Sequence, residues 1–300
     1  MERRIMLIVN PAAGKGQHRT EIAAVLDVLC SRGAAVTVYR TRHKGHARTL
    51  TREHAAEYDI ISCMGGDGTL GETIAGLMDI DCRPPVGYIP MGTANDMANT
   101  LSLPKNGRRA AQVILGGHTI PIDVGCIDEE YFTYISAFGA FTQVSYKTPQ
   151  GTKAALGHFA YVLEGMSELT KITPRKLVVA YDNNKTIEGE FIFGSVTNTT
   201  SIAGLVRLKT ELVDLGDGEF EVILVKNPRN ILDVNSIFMG IVMQKYDPRY
   251  VQIFRTKDVR FIFEEPVAWT RDGEDGGMHQ DISMHAVPSA VQIFVPEGTV

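Results

Sequence analysis

The sequence has few cysteines, no long apolar segment and no strong excess of one charge. Its four cysteines, Cys30, Cys63, Cys82 and Cys126, form no Cys-x-x-Cys pair, which excludes a disulfide scaffold and gives no zinc signature. A reducing, cytoplasmic compartment is therefore expected. The net charge of -5 argues against nucleic acid as a partner, because nucleic-acid binding depends on a surplus of positive charge.

Segments that could enter a membrane are also missing. No apolar run reaches the roughly 18 residues that a membrane-spanning helix needs, and Met1–Arg4 leads straight into a short apolar strand without a signal-peptide pattern. Any membrane contact is therefore expected to be peripheral and transient. With 300 residues, of which 44% are hydrophobic, the chain can build two domains with a ligand cleft between them.

Residues 1–123 alternate between strand-like and helix-like segments. Three segments are apolar runs, at Ile5–Val9, Ile60–Met64 and Val86–Ile89, and a fourth, Val36–Thr41, is β-branched and aromatic. Stretches with helical spacing, including residues 46–57, separate them. This alternation predicts a parallel sheet covered by helices, in which ligands bind beyond the carboxyl ends of the strands.

The pattern changes after residue 123. Short strand-like segments separated by turns predict an antiparallel β domain over residues 124–289, with helical insertions at 154–170 and 230–244. The last strand-like segment, Val291–Val295, fits either domain.

The sequence Gly65–Leu70 reads Gly-Gly-Asp-Gly-Thr-Leu between a predicted strand and a predicted helix. Glycines let backbone N–H groups approach phosphate oxygens, and a helix N-terminus adds partial positive charge. Asp67 within this turn is suited to binding metal or accepting a proton. The alternative is an ordinary strand-to-helix turn in which Asp67 is only a cap.

Two further polar turns follow predicted strands. Asn10–Gly16 contains glycines but lacks the Gly-Lys-Ser/Thr ending of a P-loop. Pro90–Asp96 offers neutral hydrogen-bonding groups at Thr93 and Asn95 and a carboxylate at Asp96. Three such turns at neighbouring strand ends would meet in one crevice, which indicates a nucleotide site.

Two acidic segments lie in the second half of the chain. Asp214, Asp217 and Glu219 offer hard oxygen ligands suited to Mg²⁺, although a plain hairpin turn explains the same residues. Asp272-Gly273-Glu274 lies in an acidic stretch, which by itself is also typical of a solvated loop.

Together these motifs resemble, in order and spacing, the diacylglycerol kinase catalytic family, and most of all its soluble bacterial branch of lipid kinases. The resemblance runs from residue 5 to about residue 296. The Gly-Gly-Asp-Gly-Thr turn is shared with NAD kinases and, more loosely, with phosphofructokinases, whereas Pro90–Asp96 together with Asp272–Glu274 is specific to the lipid kinases. It implies an α/β fold with an NAD kinase-like nucleotide-binding domain at 1–123, a β-sandwich at 124–289, and residues 290–300 packing back.

The resemblance also implies the site residues. Glu274 is the expected base toward the lipid hydroxyl and Asp67 is the alternative base, with Asp272 as a further catalytic residue. Mg²⁺ is expected at the Asp214–Glu219 segment, bound by the Asp217 carboxylate and by main-chain carbonyls at Asp214 and Glu219, with Asp123 linked through water. ATP is expected to contact Asn10, Pro11, Ala12, Ala13, Gly14, Thr41, Gly65, Gly66, Asp67, Gly68, Thr69, Leu70, Glu72, Thr93, Asn95 and Asp96.

The predicted function is therefore an ATP-dependent lipid kinase that phosphorylates diacylglycerol or a similar lipid and gives a phosphatidate-type product. The alternatives are a kinase of a soluble substrate such as NAD and a non-catalytic nucleotide-binding protein that associates with the membrane. The lipid and the oligomeric state, a homodimer included, stay open. Asn99 and Ile202–Leu205 depart from the family pattern, which leaves contacts to the lipid head group or phosphate undetermined.

Overall fold

A computed structural model describes residues 2–14, 18–139, 173–182, 185–202, 206–207 and 213–299. The strands are β1 Arg4–Val9, β2 Ala35–Arg40, β3 Ile60–Gly65, β4 Val86–Pro90, β5 Thr119–Ile127, β6 Glu130–Phe132, β7 Ile135–Gly139, β8 Arg175–Tyr181, β9 Lys185–Thr197, β10 Ser201–Ile202, β11 Val206–Arg207, β12 Phe220–Lys226, β13 Val251–Thr256, β14 Asp258–Arg271 and β15 Glu274–Phe294. The helices are α1 His18–Cys30, α2 His46–His54, α3 Asp67–Met78, α4 Asp96–Thr100, α5 Gly107–Gly116 and α6 Ile231–Met243, with a 3₁₀ turn at Ala55–Glu57.

The first part of the chain forms a parallel sheet in the order β4-β3-β1-β2. Ile5 and Leu7 of β1 pack with α1 and α5, whereas Met6 and Ile8 pack on the opposite face with α2 and α3. Because successive side chains of a strand point to opposite faces, a continuous apolar run suits a strand that is covered by helices on both sides. This confirms the predicted parallel α/β arrangement.

The second part is mostly antiparallel, in the order β13-β12-β9-β7-β14-β15, with β8 beside β14 and β9. Its core is aromatic: the rings of Phe138 and Trp269 lie 5.1 Å apart, and Phe263 lies 5.0 Å from Phe138. Edge-on and tilted aromatic pairs of this kind add specific attraction to the area that they bury. The core therefore holds the long β14–β15 hairpin in a fixed position.

That hairpin turns at Asp272 and Gly273, whose φ angles are 48° and 78°. Two successive positive φ values match the type I′ turn, which Asp-Gly favours because its twist matches the flanking strands. Arg271 pairs with Glu274 directly across the turn. The acidic segment is therefore an ordered hairpin tip, with Glu274 as the first residue of β15.

Strand β15 links the antiparallel and parallel parts. It leaves β14, pairs with β5, and ends beside β4, where Ile293 lies parallel to Val86. Residue 123 lies inside β5, so the division of the chain into 1–123 and 124–289 stays a prediction.

Most predicted elements are present with adjusted ends. The predicted helix at 46–57 ends at His54, where a 3₁₀ turn replaces its last three residues, and the predicted helix at 230–244 is α6. Helix α5 was missed; Asn106 caps it by accepting a hydrogen bond from the Arg109 amide at 3.1 Å. The predicted helix at 154–170 lies outside the described residues. Among the described helices, none is both long and apolar enough to span a membrane.

Candidate active site

The glycine turn before α3 packs tightly against the turn after β4. The Met91 amide donates to the Gly65 carbonyl at 2.7 Å, and a Cβ on Gly92 would lie only 2.7 Å from the Gly66 Cα. A Cβ on Gly65 would lie 2.4 Å from Thr69 Oγ1. These glycines are therefore needed for close backbone approach, and they leave the N-terminal amides of α3 unobstructed by side chains of their own.

The turn after β1 is hydrogen-bonded to the first turn of α3. Asn10 Nδ2 donates to Thr69 Oγ1 at 2.9 Å, while its Oδ1 accepts from the Ala12 amide at 3.0 Å. The amide of Thr41, which is buried just after β2, donates to the Val9 carbonyl at 2.9 Å. Pro11, Ala13 and Gly14 continue the same turn. The structure thus brings the predicted nucleotide turns together at one edge of the sheet, although the Leu70 side chain is buried in the core.

Asp67 joins α3 to α4. Its Oδ2 accepts from the Asp96 amide at 3.0 Å, and its Oδ1 accepts from the Met97 amide at 3.2 Å and from the Tyr88 hydroxyl at 3.4 Å. Burial raises the pKa of Asp67 to about 6, and the nearby charges of Asp96 and Asp272 act in the same direction. Asp67 therefore caps α4, a different helix from the one it begins.

The turn at Pro90–Asp96 is shaped by Asn95, which adopts a φ of 52°. Its Oδ1 accepts from the Gly92 amide at 2.9 Å, and its Nδ2 donates to the Gly92 carbonyl at 2.9 Å. Asn95 and Asp96 are buried, whereas Thr93 is exposed at the tip of the turn. Asn95 thus maintains the shape of the turn, and contact of the exposed Thr93 with a nucleotide stays a prediction.

Glu72 acts on α2. Its two carboxylate oxygens accept from the Gly45 amide at 2.7 Å and from the Ala47 amide at 3.1 Å. A carboxylate at a helix N-terminus satisfies free amides and interacts favourably with the helix dipole. Glu72 therefore fixes the loop between β2 and α2 against α3, and its contact with a nucleotide stays a prediction.

Asp272 anchors the acidic hairpin tip. Its Oδ2 accepts from the Thr133 amide at 2.7 Å, and its Oδ1 accepts from the amides of Tyr134 and Ile135 at 3.0 and 3.1 Å. Burial raises the pKa of Asp272 to about 6. A Cβ on Gly71 would lie 3.0 Å from Asp272 Oδ2, so the hairpin tip rests directly on α3.

Glu274 faces the glycine turn. Its Oε1 lies 3.6 Å from the position that a Cβ on Gly68 would occupy, and its Oε2 forms an ion pair with Lys44. The sequence interpretation missed Lys44 and Gly71. Gly71 carried a signal, because it lies three residues after Gly68 on the same helix face, whereas nothing local marked Lys44.

The acidic segment Asp214–Glu219 is held by Asp123, which is fully buried. Its Oδ2 accepts from the Gly218 amide and its Oδ1 from the Ser289 amide, both at 2.6 Å. Burial raises the pKa of Asp123. Asp214 Oδ1 accepts from the Gly216 amide at 3.2 Å. Asp123 therefore fixes this loop through main-chain amides.

Arg255 lies among the carboxylates of this loop. It forms an ion pair with Asp217, and its Nη2 is 3.7 Å from Glu219 Oε2. Its Nε is 3.4 Å from Oε1 of Glu221, a fully buried residue that pairs with Arg255 across β12 and β13. Neither Glu221 oxygen accepts a hydrogen bond, and burial raises the pKa of Glu221 to about 8. Sequence reasoning missed this pair because only the strand register joins it.

These carboxylates suit a hard cation in chemistry and in their excess negative charge. Within the described part of the chain, however, no three His, Cys, Asp or Glu side chains are arranged to hold a metal ion. The side chains of Asp214, Asp217 and Glu219 therefore do not form a ready-made metal centre, and any ion here would depend on main-chain oxygens as well.

Comparison with known proteins places this arrangement in a family. A family profile described as diacylglycerol kinase catalytic domain matches residues 4–127. A diacylglycerol kinase of Bacillus subtilis (strain 168) is 31% identical over 278 residues, which cover 92% of this chain and 91% of that protein. A diacylglycerol kinase of Staphylococcus aureus (strain bovine RF122 / ET3-1) is 37% identical over 281 residues, with 92% and 88% covered.

Solved structures agree on the fold. The crystal structure of a diacylglycerol kinase from Bacillus anthracis str. Sterne matches with a TM-score of 0.79 at 22% identity, covering 99% of this chain and 98% of that one. An NAD kinase from Archaeoglobus fulgidus in complex with ATP matches with a TM-score of 0.55 at 10% identity, covering 98% and 94%.

The fold is thus the one shared by diacylglycerol kinases and NAD kinases, and the glycine turn facing an acidic hairpin suits a phosphotransferase. This chain belongs to the diacylglycerol kinase family, which confirms the resemblance seen in its sequence, and it is a lipid kinase.

Proposed function

We propose that this lipid kinase transfers the γ-phosphate of ATP to the hydroxyl of diacylglycerol or a closely similar lipid, giving a phosphatidate-type product. The observation that carries the proposal is the approach of Glu274 to Gly68, which brings a carboxylate to the turn best suited to phosphate. The ATP complex of the similarly folded NAD kinase from Archaeoglobus fulgidus supports ATP as the donor.

The phosphates would lie at the N-terminus of α3. There the first amides of α3 would meet the phosphates, with the Asn10 turn hydrogen-bonded to Thr69 and the exposed Thr93 on the neighbouring turn. Phosphoryl transfer depends mainly on positioning the reactants and on stabilising charge that develops on the phosphate oxygens. A rigid turn of glycine amides supplies both without reorganisation.

Glu274 is the better candidate for the base. Its side chain is 42% exposed, so a lipid hydroxyl can reach it, and a positioned carboxylate accepts the proton as the hydroxyl attacks phosphorus. Both Asp67 oxygens already accept backbone amides. Asp67 and Asp272 would then act by holding α4 and the hairpin tip in place.

Mg²⁺ would be held at the Asp214–Glu219 loop by the Asp217 carboxylate and by main-chain carbonyls at 214 and 219, with Asp123 linked through water. When bound, the ion would neutralise charge on the phosphates. Arg255 would have to release Asp217 for this to occur, because it already forms an ion pair with that carboxylate.

A lipid acceptor requires the enzyme to reach the membrane surface. The hydroxyl of a diacylglycerol lies at the surface of the bilayer, so we propose a cytoplasmic enzyme in transient peripheral contact with the membrane.

A labelling experiment tests the acceptor. ATP labelled in its γ-phosphate is offered with vesicles containing diacylglycerol, ceramide or sphingosine, and separately with NAD. Label in the organic-solvent extract of the diacylglycerol vesicles is expected. Label only on NAD, or no transfer to any acceptor, would contradict the proposal.

A further inference from the structure

Lys44 joins two parts of the site that are far apart in sequence. It lies in the loop between β2 and α2, and its ammonium group forms an ion pair with Glu274 at the hairpin tip. The Lys44 side chain is 70% exposed. An ion pair so open to water adds little to the stability of the fold. Stability therefore does not explain why Lys44 is placed beside Glu274.

The backbone around Lys44 is fixed relative to α3. Gly45, the next residue, has a φ of 80°, and its amide is held at 2.7 Å by Glu72, a residue of α3. The main chain beside Lys44 is therefore held at a fixed position relative to α3, and the Lys44 side chain reaches Glu274.

The Glu274 carboxylate lies between the Lys44 ammonium and the Gly68 turn. An anion held between a lysine and a helix N-terminus is the arrangement in which proteins commonly bind phosphate. In the proposed function the phosphates lie at the N-terminus of α3, and the Glu274 carboxylate then lies next to the outermost one.

We propose that Lys44 is a phosphate-binding residue that exchanges Glu274 for the terminal phosphate of the nucleotide. The inference rests on the proposed function. Without nucleotide, Lys44 holds Glu274; with ATP bound, the more highly charged γ-phosphate takes the ammonium group and releases the Glu274 carboxylate. The exchange makes and breaks no covalent bond. In the transfer that follows, the lipid oxygen bonds to the γ-phosphorus, the bond from phosphorus to the β,γ-bridging oxygen breaks with its electron pair leaving on ADP, and Glu274 accepts the hydroxyl proton.

Binding of ATP and of ADP, measured by calorimetry without lipid, tests this exchange. Lys44→Met should weaken ATP binding about tenfold, as expected for the loss of one charge-assisted contact, and ADP binding less than threefold. Lys44→Arg should restore most of the ATP affinity. Arg42→Met is the matched control, because it removes another exposed positive charge from the same loop and should leave both affinities unchanged.

A double-mutant cycle separates exchange from a simple structural effect. Glu274→Gln removes the competing carboxylate, so it should tighten ATP binding in the otherwise native protein and have no such effect beside Lys44→Met. Equal losses of ATP and ADP affinity in Lys44→Met, or the same effect of Glu274→Gln in both backgrounds, would overturn the proposal. Because no lipid is present, these results are independent of whether diacylglycerol is the acceptor.

Discussion

Gly71 of α3 lies so close to Asp272 of the hairpin that a Cβ at position 71 would be 3.0 Å from Asp272 Oδ2. One turn earlier, Gly68 faces Glu274 in the same way. Residues three apart lie on one face of a helix, so this pair of glycines forms the flat surface on which the acidic hairpin tip rests.

Gly71→Ala should therefore lower turnover by about tenfold, because Asp272 and with it Glu274 must move by a few tenths of an ångström or more. The free energy of unfolding should change by less than about 1 kcal/mol, since alanine is the better helix former and offsets the crowding. Steady-state kinetics and urea unfolding measure the two quantities.

Gly116→Ala is the control for this change. It also replaces a helical glycine, but a Cβ there would meet nothing within 4 Å, so turnover should be unchanged. Wild-type turnover in Gly71→Ala would show that the contact between α3 and the hairpin tip does not matter for catalysis.

Activity should fall as the pH drops through about 6. Burial raises the pKa of Asp272 to about 6, and the ionised carboxylate is the better acceptor for the three amides that hold the hairpin. Because the folded-state pKa lies above the unfolded value, the folded state binds the proton more strongly, and Asp272 lowers the free energy of unfolding as the pH rises from about 4 to 6.

Urea unfolding of the wild type and Asp272→Asn between pH 4 and pH 7 tests the sign. The unfolding free energy of the wild type should decrease relative to that of the variant across this window, while kcat/KM of the wild type increases. Parallel curves for the two proteins would show that Asp272 does not titrate in this range.

Arg255→Gln should make the protein more responsive to Mg²⁺. Without the guanidinium, Asp217 and Glu219 lose their nearby cation and Glu221 loses its partner on β13, so Tm without metal should fall because the neighbouring carboxylates of Asp217 and Glu219 then repel each other. Mg²⁺ should raise Tm further than in the wild type and at about fivefold lower concentration. Arg249→Gln, which breaks an ion pair with Asp247 in another turn, is the control.

Identical Mg²⁺ titrations of the wild type and Arg255→Gln would contradict a metal site at this loop. A lower Tm in Arg255→Gln that Mg²⁺ does not raise would give Arg255 a purely structural role.

The sequence predicts those parts of the fold that depend on local pattern. The apolar run of β1 indicates a strand covered on both faces. The acidic composition of Asp272–Glu274 is typical of a solvated loop, and the tight turn there is seen only in the structure. Contacts set by register or by side-chain direction were not predictable. Glu221 and Arg255 meet only through β12–β13 pairing, and Lys44 lies in a loop whose local sequence does not indicate where its side chain points.

The Gly65–Leu70 turn can be interpreted either as a functional phosphate turn or as an ordinary turn capped by Asp67, and the sequence could not separate the two. A cap was expected within its own turn, whereas its carboxylate caps α4 through the amides of Asp96 and Met97. Helix α4 follows β4, and it lies near Asp67 only because β4 and β3 are neighbours in the sheet.

The most direct measurement is the rate at which labelled γ-phosphate enters vesicle diacylglycerol in the wild type and in Glu274→Gln, with thermal unfolding recorded for both. The account predicts label in the lipid extract for the wild type and a loss of about 10²-fold to 10⁴-fold in Glu274→Gln at unchanged Tm, while Glu265→Gln, at an exposed position of β14, keeps full activity. A Glu274→Gln variant that phosphorylates diacylglycerol at the wild-type rate would contradict it.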